Sequence, residues 1–216
     1  MGLLIIQGNR KYSFQAGNGF WIKRDGNYKS DNSISNLLRY ISRTRDDEDR
    51  RADLKVFGCI GVDAYGSIDF VIQQFRKAQQ LYYKDNGRRM YHFVYSFSDK
   101  ENKNISGRTE VMARIAYHLA ELFHRRGFQV AYAVHEEPAK RLHIHFAVNA
   151  VSYLTGYKFH ISKPEVSMLQ QQMTYLAGLW AHEMEVVWFP QSTWKNDEMA
   201  IAAAEVKEAR AKLLGC

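Results

Sequence analysis

The sequence predicts an α+β fold: a central antiparallel β-sheet flanked by helices. Three observations carry this. Apolar residues alternate with period 2 in some segments and recur at i, i+3, i+4 and i+7 in others. The two kinds of segment are interleaved, but not as regular strand–helix–strand units. Two strand-like segments, 128–135 and 141–151, are separated by only five residues, which is a hairpin spacing. The 216-residue chain is 46% hydrophobic and 13% aromatic with three prolines, enough for one packed domain without extensive disorder.

The elements follow in order. Residues 2–7 are apolar and form a first strand. Residues 8–31, rich in Gly, Asn, Lys and aromatics, read as loop with short strands. Ser33 is placed to cap a helix over 34–44, with Ile34, Leu37, Leu38 and Ile41 as its stripe. The mixed charges of 44–52 read as a solvated loop. A strand covers 54–61. Ser67 caps a helix over 68–83 with Ile68, Val71, Ile72, Phe75 and Ala78 on one face, and Asp85-Asn86-Gly87 supplies turn chemistry after it. Residues 90–97 form a strand. A helix over 108–126 carries Val111, Ile115, Leu119, Leu122 and Phe123, and stops at Gly127. The hairpin follows, then a turn at 154–157. Pro164 opens a helix to about 185, with Val166, Leu169, Met173, Leu176 and Trp180 buried. Residues 185–189 read as a short strand and 196–213 as a last helix. The expected organisation is a domain over 1–190 and a helical extension over 191–216.

Composition narrows the function classes. Thirty Lys and Arg face 23 acids, for a net charge of +7 and a pI of about 9.3, which suits a polyanionic partner. Two cysteines, Cys59 and Cys216, give no disulfide framework and fit a reducing cytoplasm. No secretory h-region is visible, and no run reaches the roughly 18 apolar residues of a membrane span.

The most informative stretch is 135–149. On the strand 141–149, Arg141, His143, His145, Ala147 and Asn149 share one face, while Leu142, Ile144, Phe146 and Val148 share the other. The apolar set packs on the core, so the histidines are expected to face a cleft. On the preceding strand His135 lies on the same face as Gln129, Ala131 and Ala133. The hairpin therefore brings His135 beside His143 and His145, with cross-strand neighbours about 5 Å apart. Three imidazoles without cysteine suit a divalent cation with open positions. Neutral ligands leave such a cation most of its charge, which favours attack on a phosphodiester. Glu137 or Glu136 is a candidate partner for an imidazole N–H, and Asn149 and His92 are further candidates for supporting the ligands.

These residues resemble the HUH endonuclease superfamily, in which two histidines flank one hydrophobic residue, here His143-Ile144-His145. More closely the chain is similar to relaxases, the mobilisation nucleases of conjugative and mobilisable elements. The resembling pieces are His135, Glu137, 143–149 and Thr155-Gly156-Tyr157-Lys158. Tyr91 to Phe97 is similar to the strand ending in Ser-Phe of the MobP-type branch, and Asn36 to Ile41 to that branch's first motif. The resemblance covers about 34–160. It implies a bacterial, cytoplasmic enzyme that nicks single-stranded DNA at an origin of transfer through a 5′-phosphotyrosine and later rejoins the ends. It also implies one Mg²⁺ or Mn²⁺ ion, with accessory relaxosome proteins and a coupling protein as partners.

The resemblance assigns the nucleophile to Tyr40, which a helical wheel puts 60° off the edge of the 34–41 stripe. Geometry alone does not single it out among thirteen tyrosines. Tyr175 is the main rival, and would suit a replication initiator or transposase of the same superfamily; Tyr28 and Tyr12 are lesser ones. Arg39, Arg43, Arg141 and Lys158 are the candidate DNA contacts. A reading from another class is a non-catalytic DNA-binding module whose histidines hold a structural metal.

Overall fold

The computed structural model describes residues 2–7, 21–23, 28–44, 50–63, 66–138 and 140–188. The elements in chain order are β1 (Leu3–Gln7), β2 (Trp21–Lys23), α1 (Ser33–Ile41), β3 (Leu54–Ile60), α2 (Ile68–Leu81), β4 (Met90–Ser96), α3 (Asp99–Ile105), α4 (Thr109–His124), β5 (Val130–His135), β6 (His143–Asn149) and α5 (Lys163–Trp188). The six strands form one sheet in the order β2-β1-β4-β6-β5-β3. All neighbours pair antiparallel except the edge strand β2, which runs parallel to β1. The α+β architecture read from the sequence is the observed one.

Helices cover both faces of the sheet. One face, with Phe93, Tyr95, Val130, Val134, Ile144, Phe146 and Val148, packs beneath α4 and α5. The other is built from small residues: Ala131, Ala133 and Ala147 are fully buried beneath Ile34, Leu37, Leu38 and Ile41 of α1 and Val71, Ile72 and Phe75 of α2. This corrects the expectation of an open cleft along the histidine face. Alanines lower that surface, so two amphipathic helices seat on it.

Other differences have local causes. Ser33 is the first residue of α1 and makes no cap; its hydroxyl is hydrogen-bonded to that of Ser30. The helix stops at Ile41, not 44, because Arg43 takes a left-handed φ of 54° and the Thr44 N–H reaches back to the Arg39 carbonyl, a Schellman ending. Tyr83, with φ 53°, ends α2 in the same way ahead of Asp85-Asn86-Gly87. Helix α3 was not expected, although its Ser98–Glu101 capping box is the Ser-x-x-Glu pattern that marks a helix start. Residues 185–188 continue α5 and form no strand. The expected helix over 196–213 and the extension over 191–216 lie outside the described residues. No helix among those described is long and apolar enough to cross a membrane.

Candidate active site

Antiparallel pairing sets His135 opposite His143 and Ala133 opposite His145. One ring nitrogen from each of His135, His143 and His145 lies within 4.8 Å of the others. His135 and His145 are buried, and His143 keeps a small exposed edge at the end of the sheet.

The hydrogen bonds show which ring nitrogens are already engaged. Nδ1 of His143 donates to the Arg141 carbonyl at 2.8 Å, so its Nε2 carries the lone pair. Nδ1 of His145 bonds Nε2 of His92 at 2.8 Å, and Nε2 of His145 is buried without a hydrogen-bond partner. A buried bare nitrogen is costly unless something occupies it. Nε2 of His135 donates to the Ile41 carbonyl at 2.7 Å, which leaves Nδ1 as acceptor, 3.1 Å from the Arg43 guanidinium. Two Nε2 atoms without hydrogen-bond partners, those of His143 and His145, beside a third imidazole fit a divalent cation. The third ligand requires His135 to exchange its Arg43 contact.

The rings are uncharged at neutral pH. Burial pushes His92 down to about 3 and His135 down to about 4, the neighbouring imidazoles adding to the first and Arg43 to the second. Burial also lowers His143, and lowers His145 well below the usual histidine range. Because these folded-state values are depressed, the unfolded chain takes up protons first as pH falls. The metal-free protein should therefore lose stability from about pH 6.5 down towards pH 4, by up to about 1.4 kcal/mol per pH unit for each histidine. Urea unfolding at pH 7 and pH 4.5 measures this, and equal midpoints would contradict it.

Around the triad lies a second layer. His92 on β4 is diagonal to His145 across the ladder, and its Nδ1 is 2.9 Å from the Tyr28 hydroxyl. Tyr40, at the last turn of α1, presents its ring edge-on to His145 at 5.5 Å and to His92 at 6.2 Å. Glu137 is buried and accepts from Arg43 at 3.0 Å. It stands 3.6 Å from Nε2 of His143. Burial opposes its charge, but Lys140, Arg43 and His143 together hold its carboxyl below the usual range.

Other candidate residues are placed differently. Arg43, a candidate DNA contact from the sequence, is 1% exposed and held between Glu137 and His135. Sequence gives no signal for that burial, since Arg43 follows the end of the apolar stripe. Asn149 bonds Gln79, Gln129 and the Phe75 carbonyl, so it braces α2 against the sheet and does not support a ligand. Glu136 bonds Ser106 and the Gly107 N–H, away from the imidazoles. Arg39 pairs with Asp69 and Arg141 with Asp99, both at the surface. Lys158 bonds Asn86. Tyr175 is 53% exposed on α5, across the sheet from the histidines. Tyr12 lies outside the described residues.

A family model, the relaxase MobA/VirD2-like nuclease domain, matches residues 40–177. The match spans well over half of the chain, so the protein belongs to the relaxases, mobilisation nucleases of the HUH type. Relaxase-type DNA nicking and binding of single-stranded DNA are the activity class that membership carries. No curated protein matches this chain.

Proposed function

We propose that this relaxase is a metal-dependent nicking and joining enzyme that cleaves single-stranded origin-of-transfer DNA in plasmid mobilisation. Tyr40 is its nucleophile. The phenol oxygen forms a bond to phosphorus and the 3′ oxygen of the preceding nucleotide leaves, taking a proton. The strand is held as a 5′-phosphotyrosine, and the reverse step restores the phosphodiester. His135, His143 and His145 would hold the divalent cation, Mn²⁺ or Mg²⁺, which when bound supplies positive charge to a phosphate oxygen. His92 orients His145, and the Arg141 carbonyl orients His143. Arg39, Arg141 and Lys158 are the proposed surface cations for the DNA backbone. Accessory relaxosome proteins and a coupling protein are the proposed partners, and the bacterial cytoplasm the proposed location.

The observation that carries this reading is the bare, buried Nε2 of His145 beside the Tyr40 ring. A labelled single strand containing the origin, incubated with and without Mn²⁺, should give a protein–DNA adduct that survives denaturant only in the presence of the ion. His143→Ala with His145→Ala should weaken Mn²⁺ binding by 100-fold or more and abolish the adduct. Unfolding upon chelation with no adduct under any condition would favour the structural-metal reading instead.

A further inference from the structure

We infer that the corner formed by loops 82–89 and 151–159 is a second anchor for single-stranded nucleic acid, with Tyr83 and Tyr157 as base-stacking planes. The inference rests on the nicking proposal only in that the strand held at Tyr40 would continue onto this corner.

Two loops from distant parts of the chain are fastened here. The Tyr82 hydroxyl donates to the carbonyls of Tyr153 and Leu154 at 3.1 Å. Lys84 Nζ donates to the Gly156 carbonyl at 2.7 Å, and Lys158 Nζ to the Asn86 carbonyl at 2.8 Å. Gly156, with φ 73°, lies so close to Tyr82 that a Cβ would come within 2.4 Å of the ring. This corner is therefore ordered before any ligand arrives, which lowers the entropic cost of binding.

What it displays is unusual for a surface. Half of the large apolar side chains exposed among the described residues are here: Leu81, Tyr83, Leu154 and Tyr157. The two loops carry four cations (Lys84, Arg88, Arg89 and Lys158) and one acid, Asp85; Arg89 is paired with Asp31 and Arg88 lies over Tyr91, so Lys84 and Lys158 are the cations that face a ligand. An ammonium has three donors; Lys84 spends one on Gly156 and Lys158 two on Asn86, so each keeps at least one hydrogen for a phosphate. Lys84 lies 5.8 Å from the Tyr157 ring. Exposed aromatic planes among cations are what a single strand needs, since bases stack and phosphates pair.

Tyr83 is the strongest clue. It holds a left-handed conformation at a helix end, where glycine is free of cost and another residue pays about 1–2 kcal/mol. Arg43 has the same conformation, and its buried ion pair offsets that cost. Tyr83 is 90% exposed and has no such return inside the fold. An outward ring kept at a strained position points to a use outside the molecule. Tyr157, 74% exposed, stands on the partner loop.

The corner is linked to the active site. The Arg88 guanidinium lies 4.3 Å from the Tyr91 ring centre and 5.8 Å from that of Tyr28, and Tyr28 bonds His92. From His145 to Val151 the chain advances roughly 20 Å, a span that a site of about 4–16 nucleotides covers.

The test is fluorescence anisotropy with a labelled 24-nucleotide oligo-dT at low salt, using the full chain. Tyr83→Gly and Tyr157→Ala should each weaken binding about tenfold, the lower part of the range for one lost stacking contact. Tyr83→Gly should also leave the melting temperature unchanged or higher, which excludes misfolding as the cause. Tyr117→Ala, which removes an exposed ring on α4 away from this corner, should bind oligo-dT within threefold of wild type. Wild-type affinity in the Tyr83→Gly/Tyr157→Ala double variant overturns the inference, as does no binding of oligo-dT by the wild type. So does equal displacement of oligo-dT from both proteins by polyglutamate, which would mark a docking face for an acidic protein. Loss of oligo-dT affinity in the tyrosine variants, with no covalent adduct from the wild type on origin DNA, would sink the nicking proposal and leave this one standing.

Discussion

Tyr40→Phe should abolish the covalent protein–DNA adduct, lowering strand cleavage by at least about 10³-fold, while Tyr175→Phe leaves it within twofold. The first substitution removes one oxygen and leaves the ring against His145 and His92, so packing is nearly conserved. Stability should move by less than about 1 kcal/mol, and Mn²⁺ affinity should be unchanged because no ligand is altered. An activity loss with both of these retained identifies a missing nucleophile, not a damaged site. Tyr175 lies on the helix packed against the opposite face of the sheet and is solvent-exposed; a phosphorus at the histidines is out of its reach. The readout is a denaturing gel of labelled origin strand with each variant. An adduct formed by Tyr40→Phe at a rate within tenfold of wild type would remove Tyr40 from the chemistry. Tyr28, whose hydroxyl bonds His92, would then be the next tyrosine to substitute.

The parts of this site legible in the sequence are those governed by strand periodicity. Side chains two residues apart share a face, so His143 and His145 were bound to be neighbours, and a five-residue connection sufficed to bring up His135. His92 was readable as a candidate because it lies on a predicted strand, but the register that makes it diagonal to His145 is a property of the assembled sheet. The covered histidine face was not legible. Ala131, Ala133 and Ala147 are equally compatible with a shallow open surface or a seat for helices, and only the folded positions of α1 and α2 decide between them. Helix α3 had a readable start in Ser98 and Glu101, but its body, Asp99-Lys100-Glu101-Asn102-Lys103-Asn104-Ile105, buries one residue and carries no stripe. Tertiary capping contacts hold it, including Asn102 Oδ1 accepting from the Leu142 N–H. Arg43 was the furthest from reach. A charged residue just past an apolar stripe is ordinarily solvated, and nothing local announces that a left-handed turn aims it inward.

That inward turn gives the second large effect. Arg43→Ala should destabilise the protein by about 3–5 kcal/mol, the usual result of removing one member of a buried ion pair. The Arg43–Glu137 pair is 1% and 8% exposed, and the guanidinium also donates to His135. Its loss leaves the Glu137 carboxylate buried with Lys140 and the more distant Arg50 as its cations, which places the effect towards the lower end of that range. For a chain of this size the melting temperature should fall by roughly 6–12 °C. Arg43→Gly separates backbone from side chain. Glycine relieves the left-handed strain by about 1–2 kcal/mol, so it should be the less damaging of the two although it removes more atoms. Combining Arg43→Ala with Glu137→Gln should recover part of the loss, because no unpaired carboxylate remains; a double-mutant cycle measures the coupling. Function should fall with stability, because Arg43 lies one turn past Tyr40, 5.3 Å from its ring, and ties the end of α1 to the histidine hairpin. Cleavage at a temperature where every variant is folded tests that separately: a rate restored by Glu137→Gln in the Arg43→Ala background would make the arginine a counter-charge alone, whereas a rate still depressed there makes it the group that holds Tyr40 over the triad.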